Sequence, residues 1–239
     1  MKHKDESIRK KVVIIGDCHC GKTSLCYSFT KNQFINEHQP TIIDTLVKTI
    51  DIENNQVTKI ISIIFLDYHF NFSRFFCKIE LVIFDTSGQD EYDKLRPLFY
   101  KDSNVIIMCY SIDMPDSLSN IFDKWWPEIR YYVPQIPVIL VGIKKDLRND
   151  PITSRRLKLT NQRSLKYEDG QLLSKQLRVA YFFECSCKTN ENIQEIFQAA
   201  AKLSLNENKH ILFYSMSSSS IKIRKKSKRK ILFKNCCIL

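Results

Sequence analysis

Residues 12–23 read VVIIGDCHCGKT, and this stretch decides the fold. Val12 to Ile15 form a short, wholly apolar and β-branched run, the pattern of a strand buried on both faces, and it stops at Gly16. Gly16-x-x-x-x-Gly21-Lys22-Thr23 then has the spacing at which a strand-to-helix turn closes bare backbone around phosphate. In that arrangement the loop and helix N–H groups hold a phosphate, Lys22 reaches its outer oxygens, and Thr23 offers a hydroxyl to Mg²⁺. Cys18, His19 and Cys20 stand between the glycines, where such a loop is usually small, so the stretch also raises a metal-site reading. A zinc site needs further ligands at suitable spacing. No C-x-x-C pair occurs and the histidines (3, 19, 38, 69, 210) are scattered, which leaves an altered phosphate loop as the better reading.

Outward from this stretch the pattern repeats. Leu81–Phe84, Val105–Tyr110 and Val138–Gly142 are further apolar runs, with a weaker one over 180–184. Residues 46–56 alternate in part, and helical stretches separate several strands: 23–34, with Leu25, Phe29 and Phe34 loosely spaced, and 193–203, with Ile193, Ile196, Phe197 and Ala200 on one face. Apolar strands alternating with helices predict an α/β fold with a mostly parallel central sheet and helices on both faces. Ligands of such sheets bind at the carboxyl ends of the strands, and each polar motif falls just after a predicted strand.

Asp85-Thr86-Ser87-Gly88-Gln89 supplies a carboxylate for Mg²⁺ through water, a glycine amide for a γ-phosphate and a glutamine to orient water. Lys144-Lys145-Asp146 supplies a carboxylate able to accept both N1 and 2-amino hydrogens of guanine, beside a lysine stem that can pack along the base. Glu184-Cys185-Ser186-Cys187-Lys188 offers backbone amides for guanine O6. Alone, each is a common turn or charged loop; together and in this order they describe one nucleotide site.

These motifs resemble the Ras-like small GTPases, and DTSGQDEYDKLRPLFY, GIKKDLRND and the polar segment 149–166 resemble the Rho/Rac branch with its insert helix. The resemblance implies a P-loop NTPase of the Ras-like G-domain fold over 9–203 that binds GTP/GDP and Mg²⁺. It implies nucleotide contacts from Gly16 through Ser24 (Asp17, Cys18, His19, Cys20, Gly21, Lys22, Thr23), from Phe34 on the guanine edge, and from Thr41, Asp85, Gly88, Lys144, Asp146, Ser186, Cys187 and Lys188. Thr23, Thr41 and Asp85 would serve Mg²⁺, with Gln89, Lys22 and Thr41 in catalysis. Segments 38–46 and 88–98 would engage effectors, alongside exchange factors, GTPase-activating proteins and a Rho-type dissociation inhibitor.

The sequence also departs from the family. Cys18 replaces a usual glycine and predicts slow hydrolysis; Ile143 replaces a polar residue of the guanine motif; His38 and Ile43 replace a tyrosine and a phenylalanine of switch I. Residues 57–77, VTKIISIIFLDYHFNFSRFFC, interrupt the predicted hairpin before Asp85, as either a lengthened hairpin packed on a partner or membrane or a retained intron.

The formal charge is +11, but residues 222–234 carry eight Lys or Arg and no acid, leaving about +3 elsewhere. A near-neutral body with a basic tail argues against a nucleic-acid-binding core. The N-terminus lacks the pattern of a secretory signal and no apolar run is long enough to span a bilayer, so the nine cysteines are expected as cytosolic thiols. Residues 204–239 read as a disordered polybasic tail ending in Cys236-Cys237-Ile238-Leu239, a prenylation box whose terminal leucine favours geranylgeranyl on Cys236. Lipid and basic run together predict attachment to an anionic cytoplasmic membrane face, at the plasma membrane or an internal membrane, with a cytosolic pool.

Overall fold

The computed structural model describes residues 8–34, 41–53 and 76–206. Strand β1 (Ile8–Gly16) leads into α1 (Lys22–Lys31), then β2 (Ile43–Glu53), β3 (Phe76–Thr86) and β4 (Val105–Ser111). A helical stretch follows: α2 (Pro115–Asn120), a π turn over Ile121–Trp125 and α3 (Trp126–Tyr132). The order continues with β5 (Val138–Ile143), α4 (Pro151–Leu159), α5 (Tyr167–Leu177), β6 (Tyr181–Glu184) and α6 (Ile193–Asn206).

The six strands lie in the order β2-β3-β1-β4-β5-β6. Only β2 pairs antiparallel, with β3, in a register that closes at Glu53 opposite Phe76; every other pairing is parallel. Strand alternation sorts β1 between two cores. Val12 and Ile14 face a layer with Leu25 and Phe29 of α1 and Phe197 of α6, where the two phenylalanine rings stack at 3.9 Å. Val13 and Ile15 face the opposite layer with Ile121, Trp125 and Ile129. Two-sided burial is why the run is apolar without alternation. Each such side chain removed from water stabilises the fold by roughly 1.5–3 kcal/mol.

Because β1 is flanked by β3 on one side and β4 on the other, its carboxyl end sits where the strand order reverses, the place at which open α/β sheets bind ligands. The expected strand and helix set is present, with shifted ends. Helix α1 stops at Lys31 and leaves Phe34 outside it, β2 begins at Ile43, and α6 runs on to Asn206. Residues 57–75 of the interrupting segment lie outside the described residues, whereas 76 and 77 begin β3. His38, the basic run and Cys236 also lie outside them. No helix among the described residues is long and apolar enough to cross a membrane.

Candidate functional site

The loop after β1 is built by close approach. Gly16 has φ +138°, and a methyl group there would lie 2.1 Å from the carbonyl oxygen of Cys109 on β4, so only glycine fits. His19 takes a left-handed turn (φ +62°) that lets the loop close on itself before α1. Lys22 is buried, and its ammonium donates to the carbonyls of Gly16 and Asp17, both at 2.8 Å. The cation is thus already drawn across the loop where a phosphate's outer oxygens would lie.

The two cysteines of the opening stretch part company. Cys20 is fully buried in the core, and burial pushes its thiol above its ordinary range. Cys18 is half-buried and lines the cleft. Among the described residues no group of three or more His, Cys, Asp or Glu could hold a metal by itself. Of the two thiols, one thus belongs to the core and the other to the cleft wall.

Asp85 is the penultimate residue of β3. Its Oδ2 accepts the Thr23 hydroxyl at 2.6 Å, Thr41 Oγ1 stands 3.0 Å from Thr23 Oγ1, and Oδ1 is buried without a partner among the described residues. Two hydroxyls and a carboxylate with an unused lone-pair face form a hard-oxygen set that suits Mg²⁺, which takes few protein ligands and completes its shell with water and phosphate. Thr23, Thr41 and, through water, Asp85 would hold such a cation, which would supply positive charge against the phosphates.

Burial pushes the Asp85 carboxyl up to about 6, against the Thr23 hydroxyl and Lys22, which lower it. A folded-state value above the unfolded one means that the folded protein holds more protons between about pH 4 and pH 6, so stability falls as pH rises through that window. The shift from 3.8 to about 6 corresponds to about 3 kcal/mol at neutral pH. Asp85→Asn should therefore raise the melting temperature of nucleotide-free protein in EDTA at pH 7 by about 5–10 °C, flatten its pH dependence, and weaken Mg²⁺-dependent nucleotide binding. Thermal unfolding from pH 4.5 to 7.5 checks this; an Asn variant that is no more stable and keeps the slope contradicts it.

Gly88 lies against the phosphate loop: a methyl group there would sit 2.3 Å from the Gly16 carbonyl oxygen and 2.5 Å from Cys18 N. Any side chain would push the two loops apart. Arg96, 2% exposed, fixes the carbonyls on either side of this glycine, donating to Ser87 O at 3.0 Å and Gln89 O at 3.2 Å. It also pairs with Asp93 and Glu128 at 2.6 and 3.1 Å and stacks over Trp125.

At the other end of the cleft, Ser186 Oγ donates to Asp146 Oδ1 at 2.6 Å and Lys145 N donates to Cys185 O, joining the loops after β5 and β6. Lys144 has φ +62° and pairs with Asp113 at 3.3 Å. Ile143 is buried, with a methyl 3.0 Å from where a Gly21 Cβ would stand, so it packs on the phosphate loop as an apolar contact.

Between these walls lies a cleft of about 980 Å³. Of the residues singled out from sequence, Cys18, His19, Gly21, Lys22, Thr23, Ser24, Phe34, Thr41, Gly88, Gln89, Lys144, Asp146, Cys187 and Lys188 line it. Gly16, Asp17, Cys20, Asp85 and Ser186 are not among its lining residues. The Asp17 carboxylate turns away from the cleft to accept Asn120 Nδ2 and Trp125 Nε1, each at 2.7 Å, and its carbonyl oxygen instead serves Lys22.

A sequence model of the Ras family matches residues 11–206, most of the chain. The chain belongs to the Ras family. As a Ras-family protein it is a small GTP-binding switch of the GTPase class, and such proteins bind GTP or GDP with Mg²⁺. Sequence reading missed Arg96, Trp125, Asn120 and Asp113. Asn120 and Trp125 meet Asp17 only when the loop after β1 packs on the helical stretch after β4, and Arg96 meets Glu128 only when the segment after β3 packs on the same stretch. A buried arginine and a tryptophan that spends its N–H on a carboxylate leave no local pattern.

Proposed function

We propose that the protein is a monomeric Rho/Rac-type member of the family, a membrane-attached switch that hydrolyses GTP to GDP and phosphate. The observation that carries the subfamily reading is α4 (Pro151–Leu159), a capped helix standing between the guanine loop and α5. Asp150 caps it by accepting Thr153 N at 2.7 Å, and this extra element coincides with the segment that resembles the Rho-type insert. Effectors engage the protein through 38–46 and 88–98, and exchange factors, activating proteins and a Rho-type dissociation inhibitor regulate it, in actin or cytoskeletal signalling. The polybasic run and geranylgeranyl-Cys236 hold it on an anionic cytoplasmic membrane face.

In hydrolysis Gln89 orients the attacking water, with Lys22 and Thr41 at the phosphates. Cys18 supports a second reading, in which the protein stays loaded with GTP as an effector platform. Its side chain lines the same cleft as Gly88 and Gln89, the space an attacking water and an activator's arginine would use.

Single-turnover hydrolysis by GTP-loaded wild type and Cys18→Gly, each with and without a Rho-type activating protein, tests both readings. We expect stimulation of the Gly variant by the activator and a rate at least tenfold above wild type. Equal rates with equal stimulation would remove the impaired reading. No stimulation of either protein by a Rho-type activator, with stimulation by a Ras-type one, would remove the Rho assignment.

A further inference from the structure

Asp113 follows β4, yet it is the point at which three separate parts of the chain meet. It is 7% exposed. Its Oδ1 accepts the Ser111 hydroxyl at 2.5 Å and lies 3.3 Å from the ammonium of Lys144, and its Oδ2 accepts Arg156 Nη2 at 2.9 Å. The same Arg156 nitrogen also reaches the Asp113 carbonyl at 3.1 Å. Burial pushes the Asp113 carboxyl up, but Ser111, Lys144 and Arg156 outweigh it and hold it below its ordinary value. The neighbouring backbone is clamped as well: Ile112 N donates to Ile143 O, and Leu165 N donates to Ile112 O.

We propose that Arg156, on the extra helix α4, is a positioning residue for guanine nucleotide binding, acting through Asp113 to hold the Lys144 side chain along the wall where the base lies. The proposal rests on the guanine-nucleotide reading of the cleft. An aspartate held by one cation on both a carboxylate oxygen and its own main-chain carbonyl cannot rotate freely. Its other oxygen is thereby aimed at Lys144, whose stem lines the cleft from a left-handed backbone. Without Arg156 that aim is lost, and the base loses one wall while the phosphate contacts stay. A helix that looks like an addition to the fold is thus coupled to nucleotide residence time.

The test is dissociation of fluorescent GDP from full-length wild type, Arg156→Ala, Arg156→Lys, Asp113→Asn and the Arg156→Ala/Asp113→Asn double variant. Arg156 is half exposed, so its pair is modest, and we expect Arg156→Ala to speed release about threefold to fivefold. Arg156→Lys should restore the wild-type rate to within about twofold, because a single nitrogen makes both contacts. Asp113→Asn should speed release about tenfold, and the double variant no further, since both changes cut one chain of contacts. The nucleotide-free melting temperature of Arg156→Ala should match wild type. Wild-type binding of GDP with unchanged release from Arg156→Ala overturns this proposal alone, as do equal effects of Ala and Lys or additive effects in the double variant. A wild type that holds no GDP overturns the guanine reading together with the proposal.

Discussion

Arg96→Ala should lower the melting temperature of the protein by about 10 °C. The guanidinium is wholly enclosed and meets five groups: two loop carbonyls, Asp93, Glu128 and the Trp125 ring. Truncation strands Glu128, whose remaining partner in this cluster is the Tyr100 hydroxyl, and leaves the Ser87 and Gln89 carbonyls without this donor. Breaking a buried pair from one side costs about 3–5 kcal/mol, far more than an exposed pair, because the other charge stays buried. In a domain of this size each kcal/mol moves the midpoint by about 2–4 °C. The same loss frees the backbone on both sides of Gly88, so hydrolysis should fall with stability as Gln89 loses its fixed origin. Differential scanning calorimetry with GDP bound, and single-turnover hydrolysis below the new midpoint, check the two halves. Arg96→Lys should not rescue, since one ammonium cannot reach both carbonyls and both carboxylates. A midpoint within 2 °C of wild type would show that the cluster is not what holds the loop.

Lys22→Ala should weaken GDP binding about a hundredfold or more while leaving the fold intact. In the structure the ammonium rests on the Gly16 and Asp17 carbonyls, so the residue is placed before any phosphate arrives and little ordering is required on binding. Charge-assisted hydrogen bonds each contribute about 1.5–3 kcal/mol, and two to phosphate oxygens are enough for a loss of that size. Truncation removes the donor to the Gly16 carbonyl, which is buried, and to the Asp17 carbonyl, so the nucleotide-free midpoint should fall by only a few degrees. Isothermal titration with GDP checks the affinity; a loss under tenfold would mean that the loop amides alone carry the phosphate.

How far the sequence reveals this site depends on the reach of each interaction. The run Val12–Ile15, the loop to Thr23 and the segments at Asp85, Lys144 and Glu184 are legible because each is a strand end followed by its own turn, complete within about ten residues. Parallel pairing then brings those ends together. Contacts that need the finished sheet leave no such trace. Asp17 reads only as one residue of the phosphate loop; that its carboxylate binds Asn120 and Trp125, more than a hundred residues on, shows only in the folded chain. Phe34 reads as the last apolar position of a helix, but Asn32 takes a left-handed cap two residues earlier and leaves the ring 44% exposed at the cleft. Ile143 reads as a lost polar contact; packed on Gly21, it belongs to the core beneath the phosphate loop. Asp113 sits in an unremarkable turn, and its contacts with Lys144 and Arg156, 31 and 43 residues further on, arise only in the folded chain.

The measurement that tests the central claim most directly is a calorimetric titration of nucleotide-free protein with GDP and with ADP in the presence of Mg²⁺. On the proposed reading Asp146, partly buried and held by Ser186, would accept from two guanine hydrogens that adenine does not present in that pattern, and a site built for those hydrogens rejects a base that lacks them. The account predicts tight, Mg²⁺-dependent GDP binding and ADP binding weaker by about three orders of magnitude or more. Equal affinity for the two diphosphates, or none for GDP, would contradict it.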